Sequence, residues 1–183
     1  MPNIPNILTI IRILLTPFFV ILLLKDLFGL ALAIFTIAGV SDALDGFIAR
    51  YYNQRTALGA YLDPIADKIL LSSAFISLAV LKIIPGWLAV IVISRDVLIF
   101  TGIAILTITE KKYKVRPSIV SKCTTAAQIT TIFVTLLHVN ITGLITLREF
   151  LYWITAGLTG ISGFHYIYIG MNILQSNSKG SDE

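Results

Sequence analysis

Apolar residues run almost unbroken from position 7 to 24, and the run stops at Lys25-Asp26. The same pattern recurs down the chain: stretches close to the roughly 20 apolar residues a helix needs to cross a bilayer, separated by short polar breaks. It predicts six helical spans, at 7–24, 28–50, 57–81, 88–108, 119–139 and 147–173. Pro2, Pro5 and the asparagines beside them suit a short interfacial segment ahead of the first span. Residues 51–56 read as a polar turn, Pro85-Gly86-Trp87 as a turn carrying an interfacial aromatic, and 110–117 as the most charged loop. Residues 174–183 read as a flexible polar tail. The expected fold is all-α: an integral membrane six-transmembrane-helix bundle forming one domain over residues 1–183, with no internal repeat.

Composition supports this reading and excludes an ordinary soluble domain. Hydrophobic residues make up 56% and charged residues 13%, against about 25% charged in soluble domains; mean hydropathy is +0.88. The net charge of +4 and the isoelectric point near 9.3 then reflect topology and anionic lipid headgroups, not nucleic acid. Charge alternates between loops. Arg50 and Arg55 follow the second span, and Lys111, Lys112, Lys114 and Arg116 follow the fourth, with Lys122 just beyond. The opposite loops hold only Lys25, Lys82 and Arg148. Both termini are therefore expected in the cytoplasm, with a bacterial inner (cytoplasmic) membrane as the setting. The single Cys123 rules out an internal disulfide. Met1 to Asn6 contains no positive residue, so no cleavable leader is expected.

Four of the ten acidic residues fall between positions 42 and 67: Asp42, Asp45, Asp63 and Asp67. Carboxylates in or near a bilayer cost several kcal/mol each unless compensated, which makes this cluster a functional-site candidate. Asp42 and Asp45, three apart, share one helix face; Asp63 and Asp67, four apart, share a face of the next. A short turn joins the two helices, so they are expected to pack antiparallel with these faces opposed. The two helices lack cations to compensate four carboxylates, whereas hard divalent ions, Mg²⁺ or Mn²⁺, would do so. Two such ions on shared carboxylates suit displacement at phosphorus. Gly46, Ala49 and Gly59 leave room for a ligand beside the backbone.

The segment reads Asp-x2-Asp-Gly-x2-Ala-Arg-x8-Gly-x3-Asp-x3-Asp from Asp42 to Asp67. This resembles the signature of the CDP-alcohol phosphatidyltransferases, and the length and six-span layout extend the likeness over the whole chain. The resemblance implies transfer of a phosphatidyl group from CDP-diacylglycerol to an alcohol, with release of CMP. It implies two divalent cations, Mg²⁺ or Mn²⁺, on Asp42, Asp45, Asp63 and Asp67, with Asp67 also the catalytic base. It places Gly46, Ala49, Arg50 and Gly59 against the CDP moiety and implies a homodimer; Asn6 and Arg12, close to the cytoplasmic end of the first span, are further candidates for donor contact. Ile93-Ser94-Arg95-Asp96 and the segment from Lys114 to Lys122 look like the glycerolipid branch. Val97 to Ala104 contains no cation, which leans the acceptor from glycerol-3-phosphate towards phosphatidylglycerol, the cardiolipin-synthase type. Arg95, Arg116 and Lys122 are the acceptor-phosphate candidates.

Other polar residues have plainer readings. Lys68 points about 100° away from Asp67 on a helix and suits a structural role, and Arg95 with Asp96 could equally tie the bundle together. His138 and His165 show no ligand spacing. Trp87, Tyr152, Trp153, Tyr166 and Tyr168 suit an interfacial belt and packing, and lipid-lined grooves would use them too. A cation channel or transporter is the competing class, since intramembrane carboxylates also mark ion pathways. The aspartates, however, all fall at one end of the expected bundle, away from its midplane.

Overall fold

A computed structural model describes the backbone over residues 4–51, 57–108, 119–140 and 144–176. Six helices follow in chain order: α1 Ile4–Leu24, α2 Phe28–Tyr51, α3 Ala57–Val80, α4 Gly86–Ile108, α5 Ile119–Asn140 and α6 Ile145–Ser176. Each coincides with one apolar run of the sequence. The sixth helix runs further than hydropathy indicates, through Ser176, so residues 174–176 of the expected tail are helical. Intrahelical hydrogen bonds need no apolar side chain, so the helix continues past the point where hydropathy falls. Residues 177–183 lie outside the described residues, as does the loop 110–117.

Two of the turns close in the same way. Asp26 and Lys82, each with φ of 57°, take the left-handed conformation after α1 and α3. The backbone N–H of Leu27 donates to the Leu22 carbonyl, and that of Ile83 to the Leu78 carbonyl, both at 2.9 Å. These bonds satisfy carbonyls that the ends of α1 and α3 would otherwise leave open.

α1 packs against α2 and α3, α5 against α2, α3 and α6, and α4 against α3 and α6. Phe19, Leu23, Phe35, Phe75, Leu78, Leu88 and Val92 form the apolar centre, with the Phe19 and Phe35 rings 5.7 Å apart. The distribution of polarity is inverted relative to a soluble bundle. Leu14, Phe18, Val80, Val90, Phe150 and Phe164 are each more than half exposed, whereas Arg12, Thr124, Gln128, Thr131, Thr135, Thr155 and Thr159 are buried. Among the described residues, α1 and α5 contain segments long and apolar enough to cross a membrane, Ile7–Leu24 and Ile119–Leu137.

Candidate functional site

Thr9, Arg12 and Thr16 lie three and four apart on α1, one face of the helix. All three are buried, Arg12 completely. That face meets the start of α3 and the end of α2. The Thr9 hydroxyl donates to Asp63 Oδ1. Arg12 Nη1 lies 2.6 Å from Asp67 Oδ1 and 2.8 Å from Asp42 Oδ1, so one guanidinium nitrogen joins carboxylates of two helices. The Arg12 side chain is 0% exposed, whereas those of Asp42 and Asp67 are 41% and 37% exposed. A cavity of about 90 Å³ lies beside them, with Arg12, Asp42 and Asp67 at its polar end, Thr125 of α5 on its wall, and Phe35 and Leu71 among its apolar lining.

This geometry corrects one step of the sequence argument. The expectation of a carboxylate cluster without protein cations, on α2 and α3 packed face to face, overlooks α1, which packs against both helices and inserts Arg12 between Asp42 and Asp67. The contact joins residues 55 apart in sequence, Arg12 and Asp67, and depends on how α1 docks, which local spacing does not report. Two polar residues one turn apart in an apolar span, Thr9 and Arg12, were the available signal. Asp63 is engaged separately, by Thr9. Among the described residues no group of three metal-ligating side chains forms. The side chains of Asn6, Asp45, Ala49 and Arg50 lie outside the described residues, as do Gly46 and Gly59 beyond their helical backbone, and Arg116 altogether.

A second polar assembly sits beside the first. Lys68, next to Asp67 on α3, pairs with Asp96 of α4. Arg95 Nη1 donates to the same Asp96 Oδ1 at 2.7 Å. Arg95 Nη2 donates to Ser121 of α5 at 2.7 Å and to Ser162 of α6 at 2.8 Å, and its Nε donates to Ser162 at 3.2 Å. The Arg95 guanidinium also lies 5.8 Å from the Tyr166 ring centroid. Buried and engaged at all three nitrogens, Arg95 joins α4, α5 and α6 in this structure. Ser121 falls in the Lys114 to Lys122 segment already noted, whereas Ser162 was not singled out by sequence, since an isolated serine in an apolar helix carries no spacing signal. Lys122, beside Ser121, is exposed.

The donor set suits a hard divalent cation. Asp42 and Asp67 each give one oxygen to Arg12, remain more than a third exposed and line the same cavity, which leaves carboxylate oxygens for a metal of the Mg²⁺ or Mn²⁺ type.

Sequence comparison places this helical bundle, with Asp42 and Asp67 held at one end by Arg12, in a known family. The chain belongs to the CDP-alcohol phosphatidyltransferase family, whose profile matches residues 2–161; the family is membrane-embedded. The chain is 36% identical over 191 residues to cardiolipin synthase (CMP-forming) of Homo sapiens, a match covering 94% of this chain and 63% of the relative. It is 32% identical over 193 residues to CDP-diacylglycerol–glycerol-3-phosphate 3-phosphatidyltransferase of Bacillus subtilis (strain 168), covering 96% of this chain and 99% of that one. A Haemophilus influenzae protein of the latter name is 45% identical over 103 residues, covering 53% of this chain and 55% of the relative. The chain thus spans less than two thirds of the human relative's length.

Proposed function

We propose that this protein transfers the phosphatidyl group of CDP-diacylglycerol to the hydroxyl of a glycerol-containing acceptor and releases CMP. The observation that carries the reading is the shared hold of Arg12 on Asp42 and Asp67, which fixes two family-signature carboxylates at one cavity. Asp42, Asp45, Asp63 and Asp67 are proposed to hold two divalent cations, Mg²⁺ or Mn²⁺. Bound there, the ions would neutralise charge developing on the departing CMP phosphate and acidify the acceptor hydroxyl.

The chain's own residues position and move a proton. Arg12 restrains one oxygen of Asp42 and one of Asp67, and Thr9 restrains Asp63, so the carboxylates are held before substrate arrives. Asp67 takes the proton of the acceptor hydroxyl. The acceptor oxygen bonds to the phosphorus that carries diacylglycerol, and the bond from that phosphorus to CMP breaks, its electron pair leaving with CMP. Asn6, Gly46, Ala49, Arg50 and Gly59 are proposed to contact the CDP-linked donor.

Phosphatidylglycerol is the favoured acceptor. Arg95 is engaged at every guanidinium nitrogen by Asp96, Ser121 and Ser162, and no cation follows it between Val97 and Ala104. A phosphodiester acceptor asks for less positive charge than the terminal phosphate dianion of glycerol-3-phosphate. Glycerol-3-phosphate is the second reading. It is favoured by the near full-length match to the Bacillus subtilis relative, with Arg95, Arg116 and Lys122 then holding its phosphate. The proposed setting is a bacterial inner membrane crossed by six helices, with the aspartates on the cytoplasmic side and a homodimer as the assembly the family likeness implies. Incubating purified protein with CDP-diacylglycerol and either acceptor, and measuring CMP, tests the proposal. CMP is expected with phosphatidylglycerol, is abolished by chelation and returns with Mg²⁺ or Mn²⁺. CMP release that persists under chelation would remove the metal from the scheme.

A further inference from the structure

At the end of the bundle away from the aspartates, the turn after α3 and the starts of α4 and α6 enclose a second cavity of about 580 Å³. Asp67 and Lys82 are 15 positions apart, so at 1.5 Å per residue this cavity lies about 20 Å along α3 from the catalytic carboxylate. Its polar lining is Lys82, Arg148 and Glu149; its aromatic lining is Trp87, Tyr152 and Trp153. The two tryptophan rings lie 5.2 Å apart. The Arg148 guanidinium lies 5.8 Å from the Tyr152 ring centroid, and its buried Nε has no hydrogen-bond partner among the described residues. Lys82 occupies a left-handed position with φ of 57°, where glycine is the unstrained residue. The chain keeps a cation there all the same.

We infer that this cavity is a binding site for a phospholipid headgroup bearing one negative phosphodiester charge, drawn from the leaflet opposite the aspartates. The size suits a headgroup with its glycerol backbone, since ligand pockets run from about 300 to 1,000 Å³. Lys82 and Arg148 supply two positive charges and Glu149 one negative. The lining therefore carries a net single positive charge, which a monoanionic headgroup neutralises and a zwitterionic one does not. The Arg148 guanidinium, as part of the lining, can donate to a phosphate oxygen. Glu149 is an acceptor for headgroup hydroxyls. Trp87 and Trp153 are residues that settle at the lipid–water boundary, where a headgroup meets its acyl chains. The inference uses the membrane setting of the bundle and is independent of the transfer chemistry.

The chain contains two tryptophans, and both line this cavity, so intrinsic tryptophan emission reports on it alone. The test reconstitutes the full chain in phosphatidylcholine bilayers and titrates in phosphatidylglycerol brominated high on its acyl chains, or phosphatidylcholine brominated identically. Half-maximal quenching is expected at about five-fold lower mole fraction for the anionic lipid, the preference that one net charge near a membrane surface gives. Lys82→Gln combined with Arg148→Gln abolishes the preference, and Glu149→Gln enlarges it. Lys82→Gln alone, at an exposed position, halves the positive charge with no buried group disturbed and reduces the preference if the double variant does not fold. Equal quenching by both lipids, no quenching by either, or an unchanged preference in Lys82→Gln overturns the site. Displacement by millimolar water-soluble glycerophosphoglycerol overturns the lipid assignment in favour of a soluble phosphodiester. With CDP-diacylglycerol added at a fixed phosphatidylglycerol content, CMP release by the Lys82, Arg148 and Glu149 variants is expected to equal that of the unsubstituted chain, which separates failure of this site from failure of the transfer reaction.

Discussion

Removing one carboxylate from Arg12 and removing both have different consequences. Asp67→Asn leaves the buried guanidinium paired with Asp42, and Asp42→Asn leaves it paired with Asp67, so either single variant should fold. Asp67→Asn also removes the proposed base, and kcat is expected to fall by about 10²–10⁴-fold. The double variant removes both carboxylate charges that share the Arg12 guanidinium, and because the three groups form one network, it should lose more stability than its two singles together. Unfolding in detergent, followed by circular dichroism, measures all three. Strict additivity would show that the two carboxylates act on stability independently of each other. The aspartates themselves were legible in the sequence because four charges stand out in hydrocarbon. Their shared cation was not, because Arg12 reads alone as one more charged residue near a span's end, and only docking of α1 brings it to Asp42.

Helix positions follow directly from hydropathy, since each apolar run became one helix, but the surfaces that join the helices do not. α5 and α6 meet along a buried row of hydroxyls: Thr131 and Thr155 hydrogen-bond at 2.7 Å, and Thr124 donates to the Leu158 carbonyl at 3.1 Å. In the sequence these threonines dilute the apolar signal of the fifth span and look like weakness in it. Packed, they are the seam. Where lipid surrounds a bundle, burial of hydrocarbon between helices contributes little drive, and small polar side chains that let helices approach and bond take its place. A double-mutant cycle of Thr131→Val and Thr155→Val should give a coupling of about 0.6–1.7 kcal/mol in a membrane-like environment, the range measured for interhelical hydrogen bonds. Zero coupling would mean that each hydroxyl finds another acceptor, such as the Ala127 carbonyl 3.4 Å from Thr155 Oγ1. The length of α6 was also misjudged from sequence, because hydropathy marks where lipid contact ends and not where backbone hydrogen bonding does.

For the whole molecule, the arrangement of charge makes a claim about orientation. In sequence, Arg50 and Arg55 fall at and after the aspartate-bearing end of α2, ahead of α3, and Lys111, Lys112, Lys114, Arg116 and Lys122 fall between the end of α4 and the first turn of α5, whereas Lys25, Lys82 and Arg148 fall at the opposite ends. Positive charge is retained on the cytoplasmic face, so the aspartates are expected there, and the proposed headgroup cavity around Lys82 in the other leaflet. A channel would need its carboxylates along a path through the bundle, whereas Asp42, Asp63 and Asp67 are tied to α1 at one end. The orientation can be tested directly. In a Cys123→Ser background, Ile119→Cys reports the aspartate end and Lys82→Cys the other; Ile119 is 81% exposed and Lys82 is exposed as well. A membrane-impermeant maleimide should label the Lys82→Cys protein in right-side-out vesicles and the Ile119→Cys protein in inverted ones. Labelling of both from one side would deny that α3 and α5 cross the bilayer, and the reverse pattern would place CDP-diacylglycerol chemistry on the outer face, where no cytosolic nucleotide pool could serve it.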